Sequence, residues 1–294
     1  MADDANATKA PESDAHEPSV ISQDDTPAQT GASMGELSKI SDIDVYIAKP
    51  SDYPHLPSKL LLYLSSGTGI HSKNNQLQAD KYASKGFLVV MPDHSATDEN
   101  GSIIEKVKMG LATTAKSFVL DMWLARQTPE KVLPVIHKVI DGAKEEFADA
   151  VANGGGIYAV GYCFGGKYVC ILGSELPDTV AHGQAIKDEE QGIVKTGPLI
   201  KCGALAHGTL ITKEDLEAIK APISFVAVEN DQLFPDDIRT AGKERLEKDK
   251  VEHEMKVYSD VPHGFATVGE YEDPKIQEAQ KAAFEQMTAW LQAH

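Results

Sequence analysis

Ile157-Tyr158-Ala159-Val160-Gly161-Tyr162-Cys163-Phe164-Gly165-Gly166 decides the fold of this chain. It reads as a short, β-branched strand, a tight turn with a thiol at its apex, and the start of a helix. The pattern is the G-x-S-x-G nucleophile elbow with cysteine in place of serine. A turn this sharp pushes the central side chain out of the sheet, and the flanking Gly161 and Gly165 remove side chains that would clash in the bend. The helix that follows points its positive end at the sulfur, which favours thiolate over thiol.

Two downstream segments supply partners in order. Pro222 to Val228 is a second strand pattern that runs into Glu229-Asn230-Asp231-Gln232-Leu233-Phe234-Pro235. An aspartate just past a buried strand sits at the carboxyl edge of the sheet, where α/β proteins place their sites. Asp231 is the favoured acid, with Glu229 and Asp236 as alternatives and a helix N-cap as its structural role. Glu254 to Tyr258 is a short alternating strand leading to Val261-Pro262-His263-Gly264-Phe265-Ala266. The chain order is therefore nucleophile, acid, base, which is that of the α/β-hydrolase triad and differs from the chymotrypsin and subtilisin orders.

Gly161 to Gly166, the Asp231 strand end and His263-Gly264-Phe265-Ala266 resemble the dienelactone hydrolase family. Gly69 to Asp80, with Asn74-Asn75 and Ala79-Asp80, and Gly86 to Asp93 resemble its fungal branch. The likeness runs from about Gly35 to the C-terminus. It implies an α/β-hydrolase fold, a mostly parallel central sheet with helices on both faces, and hydrolysis of esters or lactones by Cys163, Asp231 and His263 without a metal or organic cofactor. Two departures bear on substrate. The bacterial lactonases resembled here keep a glutamate just before the first oxyanion donor, and Ser66 stands at that position. They carry an arginine soon after the His-x-Phe segment, where this chain has Thr267 and Val268. Its only arginines, Arg126, Arg239 and Arg245, match none of the family's substrate-binding ones. The expected substrate is a neutral or weakly charged small-molecule ester, lactone or thioester. The rival expectations are an acyl thioesterase, and a non-catalytic relative that binds a small molecule or senses oxidants through Cys163.

An oxyanion formed at the substrate carbonyl needs two backbone N–H donors. Phe164, directly after the nucleophile, offers one, and Gly67 or Thr68, in the loop after the Lys59–Leu64 strand, the other. Ser66, His71, His94, His207 and Phe265 are read as possible rim or pocket residues. The histidines lack metal-ligand spacing, and Gly67-Thr68-Gly69 lacks the Gly-Lys-Ser/Thr ending of a phosphate loop.

The bulk properties agree. The chain has 294 residues, 41% hydrophobic and 25% charged, enough for one α/β domain over 34–294 after an acidic tail over 1–33. The tail is poor in large apolar side chains and is expected to stay disordered. It resembles neither a secretory signal nor a mitochondrial presequence. A net charge of −17 argues against nucleic-acid binding. No run of residues is apolar enough to span a membrane. Cys163, Cys170 and Cys202 form no C-x-x-C pair and fit a reducing compartment, with the cytoplasm as the default; a monomer is expected.

Along the chain, Gly35–Pro50 reads as a leading strand, Lys59–Leu64 as a central one and Asn74–Lys85 as a helix closed by Gly86. Thr113–Arg126, Pro134–Ala152, Lys213–Ile219, Asp236–Lys248 and Glu272–Ala293 also read as helices. Leu88–Met91 and Cys202–His207 read as strands. His94–Lys116 has no clear pattern, and the polar Pro177–Pro198 stretch is either a lid or a surface loop.

Overall fold

A computed structural model describes residues 31–94, 126–177 and 195–294. Apart from their end residues, the tail, the helix over 113–126 and the insertion over 177–198 lie outside these. In chain order the elements are β1 (Glu36–Ile40), β2 (Ile43–Ala48), β3 (Lys59–Leu64), α1 (Lys73–Ala83), β4 (Phe87–Pro92), α2 (Pro129–Glu146), α3 (Ala148–Gly154), β5 (Tyr158–Tyr162) and α4 (Phe164–Leu172). There follow β6 (Leu176–Pro177), β7 (Lys195–Thr196), β8 (Cys202–Ala206), α5 (Lys213–Glu217), β9 (Ile223–Val228), α6 (Asp236–Asp249), β10 (His253–Tyr258) and α7 (Pro274–Ala293).

The main sheet has eight strands in the order β1-β2-β4-β3-β5-β8-β9-β10. From β4 to β10 all neighbours are parallel, and β1 and β2 add an antiparallel edge. Strands β4, β5, β8 and β9 are buried along their whole length, the expected consequence of covering a parallel sheet on both faces. One apolar layer packs Val132, Leu133, Ile136 and Val139 of α2 and Tyr168 to Leu172 of α4 against the sheet. The other packs Ala79 and Tyr82 of α1 and Phe284, Met287 and Leu291 of α7. The register puts Leu64 beside Gly161, Tyr162 beside Ala206, Ala206 beside Val226 and Val228 beside Tyr258. Strands β3, β5, β8, β9 and β10 therefore end along one edge, and each hands the chain to a loop there.

The structure corrects three expectations. The leading strand is a hairpin, because Ser41 and Asp42 both take positive φ, 49° and 66°, and turn the chain back. From Val45 onward β2 is buried on both faces, and Tyr46 donates its hydroxyl to Asp80 at 2.7 Å. The helix expected from Pro134 begins instead at Pro129, behind the extended Thr128, and breaks at Phe147. Pro134 sits inside it, and burial of the Val132, Leu133, Ile136, Val139, Ile140 stripe offsets the missing N–H bond. Strand β8 stops at Ala206, because His207 has φ 38°. At the 177–198 insertion, Leu176 and Pro177 pair antiparallel with Thr196 and Lys195, so its two ends meet. Among the described residues no helix is long and apolar enough to cross a membrane.

Candidate active site

Cys163 stands at the apex of the β5–α4 turn with φ 49° and ψ −114°, a conformation that L-residues adopt only under constraint. The constraint is close packing at the two glycines. A Cβ on Gly165 would lie 2.0 Å from the Leu64 carbonyl oxygen, and one on Gly161 would lie 2.6 Å from the Gly165 carbonyl oxygen. The first turn of α4 is thus pressed against the end of β3, and only hydrogen fits at either position. Cys163 is partly exposed, whereas Cys170 and Cys202 are buried. Burial pushes the Cys170 thiol well above its ordinary range and Cys202 up to about 12, so both are inert as nucleophiles.

The imidazole of His263 comes from the loop after β10. Its Nδ1 lies 2.7 Å from Asp231 Oδ2, with both side chains buried. Asp231 sits just past β9, and its other oxygen accepts the Leu233 N–H at 2.9 Å, which fixes the carboxylate's rotation. Burial pulls the imidazole down, but hydrogen bonding to Asp231 and to Cys163, and then the charges of the two, outweigh it and push His263 up to about 10. The arrangement therefore favours an imidazolium beside the sulfur.

Within reach of both sulfur and imidazole stands a residue absent from the sequence reading. Thr209 Oγ1 is 3.1 Å from Cys163 Sγ and 3.3 Å from His263 Nε2. One continuous path therefore runs Cys163, Thr209, His263, Asp231. The only sequence signal for Thr209 was a hydroxyl two residues beyond the His207 strand end.

The second donor loop is built from side chains. Ser66 Oγ and Thr68 Oγ1 lie 2.8 Å apart. The Asn75 amide donates to Thr68 Oγ1 at 2.9 Å and to the Gly69 carbonyl at 2.8 Å. Ser66 is therefore turned into the loop and shapes it. Gly67 and Thr68 remain partly exposed at the sheet edge. Phe164 opens α4, in the turn where helical N–H groups have no i−4 carbonyl.

The remaining residues separate. His207 is fully buried and packs edge-on against His263, with ring centroids 5.0 Å apart. Burial, and then the charge of His263, hold its pKa well below the ordinary value, so it backs His263 as a neutral ring. Phe265 lies behind His207 and against Tyr258, in the core rather than in a pocket. His94 is buried, with Nδ1 3.1 Å from the Pro92 carbonyl and its ring stacked on Phe164. His71 is exposed in the turn before α1. Among the described residues no group of three or more His, Cys, Asp or Glu side chains is disposed to hold a metal ion.

A parallel sheet whose elbow, acid and base loops gather at one edge is an α/β-hydrolase. The comparisons agree. A Klebsiella pneumoniae protein, described by name as a candidate dienelactone hydrolase, superposes with a TM-score of 0.66 at 16% identity, over 90% of this chain and 100% of that one. Hydrolase pyvD of Aspergillus violaceofuscus is 29% identical over 261 residues, 89% of this chain and 91% of its own. The human carboxymethylenebutenolidase homolog is 21% identical over 264 residues, 88% and 92% of the two chains. The model of the dienelactone hydrolase family matches residues 43–294. The chain belongs to that family and is a hydrolase acting on ester bonds.

Proposed function

We propose that this protein hydrolyses a neutral or weakly charged carboxylic ester or lactone through a thioester on Cys163, with His263 as acid and base and Asp231 holding the imidazole. The observation that carries this reading is the unbroken chain of contacts from Sγ through Oγ1 and Nε2 to Oδ2, at 3.1, 3.3 and 2.7 Å, ending on a strained elbow. In the acylation step the thiolate attacks the carbonyl carbon, forming the C–S bond. The oxyanion is received by the N–H of Phe164 and that of Gly67 or Thr68, each such donor contributing about 3–4 kcal/mol. On collapse the C–O bond breaks, and the leaving oxygen takes the proton of His263. Acylation also removes the sulfur's negative charge, so the imidazole becomes a weaker holder of protons. It then accepts one from water, whose oxygen attacks the thioester and releases Cys163. An acyl thioester substrate would follow the same path with sulfur as leaving atom.

A neutral substrate is supported by the fate of the cations. Arg239 pairs with Asp236 at 2.7 Å, Arg245 with Asp249 at 2.9 Å and Lys167 with Asp215 at 2.6 Å. Each of these three cations already holds a carboxylate of the protein, and the net charge of −17 repels an anionic substrate. The catalytic domain is proposed to begin at residue 34, since Asp80 accepts the Met34 and Gly35 N–H groups at 2.8 and 3.2 Å. The three free cysteines support a reducing compartment, with the cytoplasm as the default, and a monomer is the family-like default.

The test is hydrolysis of a neutral chromogenic short-chain ester by wild type and Cys163→Ala, followed from the first turnover. A burst and steady turnover that vanish in the variant are expected. Equal rates in the two proteins would remove Cys163 as nucleophile and favour a binding or thiol-sensing role. Rapid turnover of an anionic dienelactone with inertness toward neutral esters would overturn the substrate class.

A further inference from the structure

We infer that Thr209 is a fourth member of the catalytic chain, its hydroxyl relaying the Cys163 proton to His263; this rests on the cysteine-hydrolase reading above. Thr209 is fully buried, so its hydroxyl must find partners within the protein. The two it has are the reacting atoms themselves, Sγ at 3.1 Å and Nε2 at 3.3 Å. Their roles are fixed by the other end of the ring. Nδ1 faces the Asp231 carboxylate at 2.7 Å and carries a proton toward it. In the neutral imidazole Nε2 is then an acceptor. The hydroxyl must donate to Nε2, which leaves its lone pairs for the thiol hydrogen. In the thiol form the direction is thus S–H to oxygen and O–H to nitrogen, and the ion pair that the site favours is the product of this transfer.

The step balances without further reagents. The S–H and the threonine O–H bonds break, and a new O–H and a new Nε2–H bond form. One proton leaves sulfur, one arrives at nitrogen, and no electrons are exchanged. The two transfers are concerted, because a free threonine alkoxide is far too basic to accumulate. Afterwards the hydroxyl, carrying the former thiol hydrogen, donates to the thiolate and accepts from the imidazolium. It needs no rotation, and it bridges the resulting charge pair.

The placement of Thr209 is determined by the fold. Its N–H donates to the Cys163 carbonyl at 3.1 Å, so loop and elbow move together. A Cβ on Gly166 would lie 3.1 Å from Gly208 Cα, so the start of α4 and this loop touch through two glycines. Lys167, on α4, donates to the Leu210 carbonyl at 2.9 Å while paired with Asp215. His207 and Leu210 on either side have φ of 38° and 59°, so the loop is held in a shape it would not adopt alone.

The test compares wild type, Thr209→Val and Thr209→Ser. Valine keeps the volume and loses the hydroxyl; serine keeps the hydroxyl. Two quantities are read: the rate of Cys163 alkylation by iodoacetamide between pH 5 and pH 10, and kcat and KM on the neutral ester. Buried Cys170 and Cys202 do not compete for the label. Thr209→Val should lose kcat by about 10–100-fold with KM little changed, and its alkylation profile should move up by about one pH unit. Thr209→Ser should restore most of both. A valine variant with the wild-type profile and kcat would overturn the relay, as would a serine variant as impaired as valine. If valine prevents folding, Thr209→Ala is read in the same way, and an unmoved profile is equally fatal. Absence of ester turnover in wild type would overturn the hydrolase reading alone, because the alkylation profile still decides whether the hydroxyl links thiol and imidazole.

Discussion

The elbow and the base loop bring their residues to the same point by opposite means. Cys163 is placed by steric exclusion. Strand β5 is buried throughout, the turn is strained, and Gly161 and Gly165 let backbone press on backbone until one position remains. His263 lies on a run of turns between β10 and α7 that contains no strand or helix, and it is placed by side-chain amides. Gln280 of α7 donates to the carbonyls of Phe265 and Thr267, at 3.2 and 2.7 Å. Gln277 donates to Tyr271, and Gln78 of α1 accepts the Val268 N–H at 2.9 Å. An irregular buried segment has no ladder to satisfy its backbone, so helices on either side supply the missing partners. The proposed nucleophile is held by close contact that tolerates no added atom. The proposed base is held by hydrogen bonds that can be removed one at a time.

The contrast makes graded predictions. Asp231→Asn strikes the base alone and should have the largest effect, lowering kcat on the order of 10⁴-fold on the neutral ester while leaving the fold intact. The same pair gives a pH dependence of stability. The folded imidazole titrates near 10 against an ordinary 6.5. Its stabilisation is complete below about pH 6.5 and is lost as pH rises through about 10. The Tm advantage of wild type over Asp231→Asn should therefore shrink steadily between pH 6.5 and pH 10. A constant difference would mean that the charged pair does not hold the loop.

Gly165→Ala comes next. Its methyl group would meet the Leu64 carbonyl, so the elbow must shift; about 1–3 kcal/mol of stability should go, with roughly 10²-fold of kcat from misplacement of the thiol. Urea unfolding and steady-state rates measure the two. An alanine variant of unchanged activity would show that the elbow is adjustable and would erase the contrast. Gln280→Leu is the mildest. It leaves buried carbonyls unpaired and should cost about 1–3 kcal/mol, with kcat reduced only severalfold because Asp231 still orients the ring. Loss of activity as great as in Gly165→Ala would mean that the base loop is positioned as rigidly as the elbow.

What was legible in the sequence follows the same division. The parallel sheet, the elbow, and the order Cys163, Asp231, His263 are encoded locally. Apolar runs, glycine spacing and strand-end polar residues depend only on neighbours a few positions away. The Ser41–Asp42 turn and the start of α2 were misread, because positive φ at non-glycine residues and a proline inside a helix are both tertiary overrides of local preference. His207 and Phe265 were read as rim residues for their position past strand ends; packing instead put them behind His263.

By itself, the sequence determined the fold class and singled out Cys163, Asp231 and His263 as candidates, since both follow from local pattern and residue chemistry. Only the tertiary structure decided that Thr209 stands between thiol and imidazole, that Ser66 turns toward Thr68 and Asn75, and that three glutamines hold the base loop. The Thr209 contacts join residues 46 and 54 positions apart and the Gln78–Val268 contact residues 190 apart, and the shorter-range ones form within irregular loops. A hydrogen bond at 3 Å leaves no periodic trace in a chain; it exists only once the packed layers have fixed the distance.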